Sequence, residues 1–281
     1  MRGALVIGAL AVLAAFAPAA SAARAPDFLA RSLDSRGCAH EPGAAPSANL
    51  TAWVMLALAA AHRDTSRPHA CLAAHARDLR RPTDIEIAAL AVVAAGGDPR
   101  ATGGRDLVAA IRAQLRGGRI GPTIASNQFG ILALRAAGAP VPASARRALL
   151  GDQRRDGAWP VARGGDGDSN LTASGIQAAI AAGVPVSARA VRRARAALGR
   201  FRSEGGYELM AGAGADAQST GWALQALAAV GASGAEGRAW LRGVQRADGS
   251  FAYQPGLAIT PVWVTAQAVL GYAGRPFPLA P

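Results

Sequence analysis

The chain has 281 residues, 51% of them hydrophobic and 5% aromatic, and a formal charge of +12. All of its basic charge is arginine, because the sequence contains no lysine, and the arginines are spread along the chain instead of being gathered on one segment. That spread argues against a nucleic-acid partner and favours, at most, attraction to an anionic cell surface or acidic polymer.

Residues 1–22 read as a secretory signal. Met1-Arg2 is a short positive start, Ala4 to Ala17 is apolar, and Ala20-Ser21-Ala22 is a small-x-small cleavage site. The apolar run is shorter than the ~20 residues of a spanning helix, so an uncleaved anchor is the weaker alternative. This reading leaves one domain over 23–281, no membrane span after cleavage, and a secreted or cell-envelope location. Two cysteines, Cys38 and Cys71, read in an exported chain as one disulfide tying the first loop to the helix after it. A metal site pairing Cys38 with a histidine is the alternative, and no compact Cys/His spacing supports it.

A repeat organises the rest. Five times a polar or bulky residue is followed four positions later by glycine and two beyond that by an apolar residue. The copies are Leu33…Gly37…Ala39, Gln114…Gly118…Ile120, Gln153…Gly157…Trp159, Phe201…Gly205…Tyr207 and Gln245…Gly249…Phe251. The interval from Gly37 to Gly118 is about twice each of the others, so a degenerate unit is expected inside it.

In chain order the units are 27–61, 66–96, 101–137, 142–182, 186–230 and 234–273. Each pairs an arginine-rich amphipathic outer helix with a nearly all-apolar inner one. In Val184–Phe201 the residues Val186, Ala190, Val191, Ala194, Leu198 and Phe201 recur at helical spacing, with Arg189, Arg192, Arg193 and Arg200 opposite. Inner helices open on Ser/Thr/Asn clusters suited to helix capping: Asn49-Leu50-Thr51, Asn127-Gln128, Asn170-Leu171-Thr172, Ser219-Thr220 and Thr265. Two of these clusters match the glycosylation sequon, but their equivalent repeat positions are explained by capping. In the degenerate unit Leu72–Leu79 is the expected outer helix, Arg81-Pro82 the loop, and Thr83 the cap of an inner helix over 84–95. Six such hairpins, the last without a polar capping face, are expected to close into a ring: an all-α toroid with inner and outer helix rings.

The segments Gln153-Arg154-Arg155-Asp156-Gly157-Ala158-Trp159 and Gln245-Arg246-Ala247-Asp248-Gly249-Ser250-Phe251 resemble the Gln-Trp repeat of squalene–hopene and oxidosqualene cyclases. The Gly-aromatic turn followed by a Thr-Ala inner helix is similar also to protein prenyltransferase β subunits, cobalamin carriers such as transcobalamin, and complement thioester domains. The resemblance spans essentially the whole mature chain. It implies the α/α toroid and leaves function open, because those families do different things.

A cyclase-like acid motif is approximated by Asp166-Gly167-Asp168-Ser169-Asn170-Leu171-Thr172-Ala173, with Asp168 as proton donor in the runner-up reading. Its third acid is replaced by serine and its loop is glycine-rich, a poor place to desolvate a carboxylate. A prenyltransferase zinc set is not available: His40, His62, His69 and His75 all lie in the first third. The thioester motif is missing. Asp166 with Asp168 is also the only nearby acid pair for glycosidase or lyase work, and no glutamate completes a calcium loop there. No cofactor or metal is implied. The expected site is a mouth of loops and inner-helix starts carrying Trp53, Asn127, Gln128, Asp166, Asp168, Ser169, Gln218, Tyr253, Gln254 and Trp263. The expected role is non-catalytic binding of a bulky, partly apolar ligand, terpenoid or corrinoid-like, or of a partner protein, with a separate small clamp-like exported protein as a candidate partner. A cyclase-like enzyme and a purely structural envelope protein are the alternatives.

Overall fold

A computed structural model describes residues 24–279; the expected signal, residues 1–22, lies outside the described residues. Among the described residues, twelve α-helices alternate between two rings. The outer helices are α1 (Arg24–Arg31), α3 (Ser66–Ala74), α5 (Leu107–Ala113), α7 (Ala143–Gly151), α9 (Arg189–Gly199) and α11 (Ala235–Gly243). The inner helices are α2 (Ala48–Ala60), α4 (Pro82–Ala94), α6 (Ile124–Ala136), α8 (Ser169–Ala181), α10 (Ala217–Ala229) and α12 (Pro261–Tyr272).

The inner ring closes. Helix α2 packs on α4, α4 on α6, α6 on α8, α8 on α10, α10 on α12, and α12 back on α2. Each outer helix leans on the inner helix before it, and α1 completes this pattern by packing on α12. Surrounded on all sides, the inner helices have almost no polar face; in α2 every residue from Leu50 to Leu58 is buried. The outer helices are wet on one side. In α9 only Val191, Ala194, Ala197 and Leu198 are buried, and Val186, expected on its apolar stripe, precedes the helix and is exposed.

The glycine repeat forms the turns between outer and inner helices. Two of these turns are antiparallel two-stranded hairpins, β1 (Leu115–Arg116) with β2 (Arg119–Ile120) and β5 (Arg202–Ser203) with β6 (Gly206–Tyr207); in the fourth unit the Gly157 turn leads into β3 (Trp159–Pro160), which pairs antiparallel with β4 (Gly167–Asp168). Single bridges, Leu33 to Ala39 and Gln245 to Phe251, do the same work in the first and last units. Glycine is required twice over at the tip. Gly157 has φ +96°, and a Cβ there would lie 2.4 Å from the Arg193 carbonyl oxygen on the next outer helix. Gly249 makes the same approach to Arg24, at the start of the chain's first outer helix, so the motif also seals the ring.

One hydrogen bond recurs in five units. The backbone N–H two residues past the glycine donates to a polar side chain one turn inside the inner helix. Ala39 donates to Thr51 Oγ1 (2.8 Å), Ile120 to Asn127 Oδ1 (3.0 Å), Trp159 to Thr172 Oγ1 (3.1 Å), Tyr207 to Thr220 Oγ1 (2.9 Å) and Phe251 to Thr265 Oγ1 (2.9 Å). The threonines expected to cap the inner helices therefore tie down the turns instead. The caps are Ser47, Thr123, Asp168 and Asp216, whose side chains accept from the first-turn N–H groups of Leu50, Ser126, Leu171 and Ser219.

The degenerate unit departs from expectation. Its outer helix is Ser66–Ala74, followed by a short 3-10 turn over Ala76–Asp78. Pro82 is the first residue of α4 and Arg81 its cap position, so Thr83 caps nothing. Proline suits that place, where its missing N–H has no helical partner to lose. Cys38 and Cys71 form a disulfide, with Cα atoms 5.3 Å apart, joining the α1–α2 loop to α3.

Candidate functional site

The hole of the ring is filled mostly by aromatic side chains. Trp53 lies at the centre, its ring 6.2 Å from Phe129, 5.8 Å from Trp222 and 5.7 Å from Trp263, all edge-on. One end is stoppered by the chain's own tail. Gln225 donates to the Arg275 carbonyl oxygen (3.2 Å), and the Phe277 N–H donates to Gln177 Oε1 (2.7 Å). These bonds hold the Phe277 ring 5.9 Å from Trp222 and 6.3 Å from Trp53. Edge-to-face packing of this kind adds about 0.5–1.5 kcal/mol per pair beyond burial and fixes the rings relative to one another.

The other end, where the inner helices begin, stays open as a cavity of about 280 Å³. Its floor is Trp53, Phe129 and Trp222, and its polar rim includes Asn49, Asp84 and Gln218. The indole N–H of Trp222 is held by Gln267 Oε1 at 2.7 Å, so this ring is pinned. Asp84 is the one carboxylate in the lining, and both its oxygens are engaged: Oδ1 accepts from Asn49 Nδ2 (2.9 Å) and Oδ2 from Arg81 Nε (2.9 Å). That ion pair raises the Arg81 guanidinium above its ordinary value, first through the hydrogen bond and then through charge. Beyond Arg81 a polar cavity of about 250 Å³ runs on towards His75 and the disulfide. Cys38, Cys71 and His75 place their ligand atoms within 4.8 Å of one another, but the two sulfurs are bonded to each other and offer no thiolates.

Of the residues expected at the mouth, Trp53, Gln218 and Trp263 line the cavity. The others stand elsewhere. Asn127 faces outward, accepting from Ile120 and donating to the Ala145 carbonyl oxygen at 3.0 Å. Gln128 bridges α6 and α8, donating to the Leu171 carbonyl oxygen and accepting from Ser174. Asp166 is exposed on the β3–β4 loop, 3.6 Å from Arg154. Ser169 is the buried first residue of α8, its N–H donating to the Leu209 carbonyl oxygen. Gln254 ties two rim loops by donating to the carbonyl oxygens of Ala213 and Gly214. Tyr253 stands beside Asp216; burial raises its hydroxyl, and the Asp216 charge raises it further.

Asp168 is the α8 cap. Its Oδ1 accepts from the Leu171 N–H at 2.8 Å. Burial raises its carboxyl above the ordinary range, against the lowering effect of that bond. Asp216 does the same at α10, accepting from Ser219 at 2.7 Å, and burial raises it too. Two successive repeats using aspartate identically explain Asp168 as a cap, and it does not line the central cavity.

Sequence reading missed Asn49, Arg81, Asp84, Phe129, Trp222 and Gln267. A signal for all of these but Arg81 was present. Asn49, Asn170, Gln218 and Trp263 each stand two residues before the turn-binding threonine, while Trp53, Ser174, Trp222 and Gln267 each stand two after it. Asp84 and Phe129 take the same registers around Glu86 and Asn127.

No protein-family model and no curated protein matches the chain. Solved structures do. The type II terpene cyclase MstE from Scytonema, as a variant in complex with geranylgeranyl dihydroxybenzoate, superposes with a TM-score of 0.71 at 17% identity over 90% of this chain and 96% of its own. A glycosidase variant in complex with glucose gives 0.68 at 15% identity over 91% and 97%. A protein from Actinoplanes gives 0.66 at 16% identity over 90% and 98%. At such identities the likeness is one of architecture, and it establishes that this chain folds as the α/α toroid found in terpene cyclases and glycosidases alike.

Proposed function

We propose that the protein is a non-catalytic binding protein that receives the apolar part of a ligand in the mouth of the ring. One observation carries this: a pinned aromatic floor under a polar rim, with a single carboxylate whose two oxygens are already taken by Asn49 and Arg81. Hydrolysis of a glycoside needs a second carboxylate across the site, and protonation of an alkene needs an acid with a free proton. Asp168, the acid of the cyclase-like alternative, caps α8 through Oδ1; its Oδ2 is buried without a partner, and neither oxygen lines the cavity.

The cavity takes one ring or a chain end. A terpenoid or corrinoid-like ligand therefore inserts one apolar portion and leaves its bulk across the open face, where a clamp-like partner has room to cover it. The disulfide agrees with an extracytoplasmic location. The stopper of Phe277 and the aromatic filling favour a second reading, a structural envelope protein whose hole is packed by its own side chains.

Titration of the intrinsic tryptophan fluorescence with farnesol, squalene and a corrinoid separates these readings. The binding role predicts saturable quenching by one of them, at least tenfold weaker in Trp222→Ala. No response to any ligand, by fluorescence or by thermal shift, favours the structural reading. Turnover of squalene or a shorter polyprenyl compound that is abolished in Asp84→Asn or Asp168→Asn sinks the non-catalytic role.

A further inference from the structure

A second cavity on the same end of the ring, between the third and fourth hairpins, is larger than the central one at about 800 Å³. It is bounded by the β1–β2 hairpin, by the first residues of α4 and α6, and by the loop after β3. Arg116, Arg119 and Arg163 line it, and no carboxylate does. Asp152 stands behind them, almost wholly buried, and takes both Arg119 and Arg163; Arg119 Nη2 is 2.8 Å and Arg163 Nε 3.3 Å from its Oδ1. Two guanidiniums share one carboxylate, so one positive charge is left over. The Arg116 Nη1 donates only to the backbone carbonyl oxygens of Ala113 and Leu115, which leaves a second.

Two further features point the same way. The N-terminal end of α6, with no acidic residue in its first turn, opens onto the groove. Gln114 lines it with both amide atoms buried and unpartnered. Its repeat counterparts are engaged: Gln153 Nε2 donates to the Gly157 carbonyl oxygen at 2.9 Å, and Gln245 Nε2 to that of Gly249 at 3.0 Å. Gln245 Oε1 also lacks a partner, but Gln114 is the one of the three with neither amide atom bonded, and it lies beside an uncompensated positive charge. The remaining wall is apolar, with Pro82, Ile124 and the exposed Val161.

We infer that this groove binds a small amphipathic anion. Its carboxylate or phosphate group faces Arg116 and Arg163, the buried Gln114 amide turns outward to it as an added donor, and its apolar body lies on Pro82, Ile124 and Val161. The planar guanidinium fork suits either oxyanion. The site contains no tryptophan and does not depend on the central mouth being a binding site.

Calorimetric titration with octanoate, octyl phosphate and neutral octanol tests this. Wild-type protein is expected to bind at least one of the two anions saturably, at least tenfold more tightly than octanol and more weakly as salt rises; which anion wins identifies the head group. Arg116→Gln/Arg163→Gln, whose two side chains are exposed, should keep its melting temperature and lose at least tenfold in affinity. Gln114→Leu should weaken binding less, and Trp222→Ala should leave it unchanged. Absence of saturable binding, equal affinity for octanol, or an unaltered double variant overturns the inference. So does loss of anion binding in Trp222→Ala, which would place the anion in the central mouth.

Discussion

Glu86 and Thr265 hold the same place in their repeats, each four residues after the proline that opens an inner helix. Thr265 receives the N–H of the turn beside it. Glu86 has no such turn, because the second unit lacks the glycine hairpin, and both its oxygens are buried without a partner. Burial first, and the Asp84 charge second, push its carboxyl well above the ordinary range. The folded state thus binds a proton that the unfolded state gives up near pH 4.3, roughly the ordinary glutamate value. Its contribution to stability is complete below that pH and falls as pH rises through the raised folded value. Glu86→Gln is expected to flatten this decline, read as denaturation midpoints between pH 4 and 8. The slope that remains belongs to Asp168 and Asp216, which burial raises in the same sense. A variant as steep as the wild type would show that Glu86 is not the group responsible.

At the scale of elements, the inner helices approach one another through small residues. A Cβ on Gly271 of α12 would lie 2.2 Å from the Gly221 carbonyl oxygen of α10, so these two backbones touch. Gly271→Ala is expected to force the pair apart. The cost is about 1–3 kcal/mol, the range for overpacking a filled core, with α10 and α12 losing amide-exchange protection first. Wild-type stability in that variant would mean that the ring yields there freely. The repeat itself was legible at this scale, since helical spacing gave the wet outer and dry inner helices. What was misread was the threonine. A Thr near a helix start looks like a cap in sequence, and only the turn folding back onto it shows that it receives a loop N–H instead.

Across the whole molecule, closure depends on contacts between the ends of the chain. Arg31 Nη2 donates to the Asp248 carbonyl oxygen at 2.9 Å, and Glu41 accepts from the N–H groups of Val262 (3.0 Å) and Trp263 (2.8 Å), charging the start of α12 favourably. The tail then stoppers the hole. Phe277→Ala is expected to destabilise by about 3–5 kcal/mol, as for other buried phenylalanines, and to deepen the central cavity. Chemical denaturation reads the first effect. The second should appear as tighter binding of the longer members of a polyprenol series. A variant that loses stability without any shift in length preference would disconnect the tail from the binding mouth.

The amino-acid sequence by itself determined the period, the two classes of helix and hence the toroid, because burial on all sides leaves its mark on every inner-helix residue. It also carried the register of the mouth, in residues two before and two after each turn-binding threonine, although the degenerate unit obscured it at Asp84. Tertiary structure alone decided which polar groups face the hole and which face the turns. Asp168 and Asp84 are both acids near an inner-helix start, and a shift of two residues in the repeat register, roughly 200° of helix, separates a cap from a cavity wall. It decided as well that the hole is filled by the chain's own aromatic rings, since Phe277 and Trp53, far apart in the sequence, meet only in the closed ring.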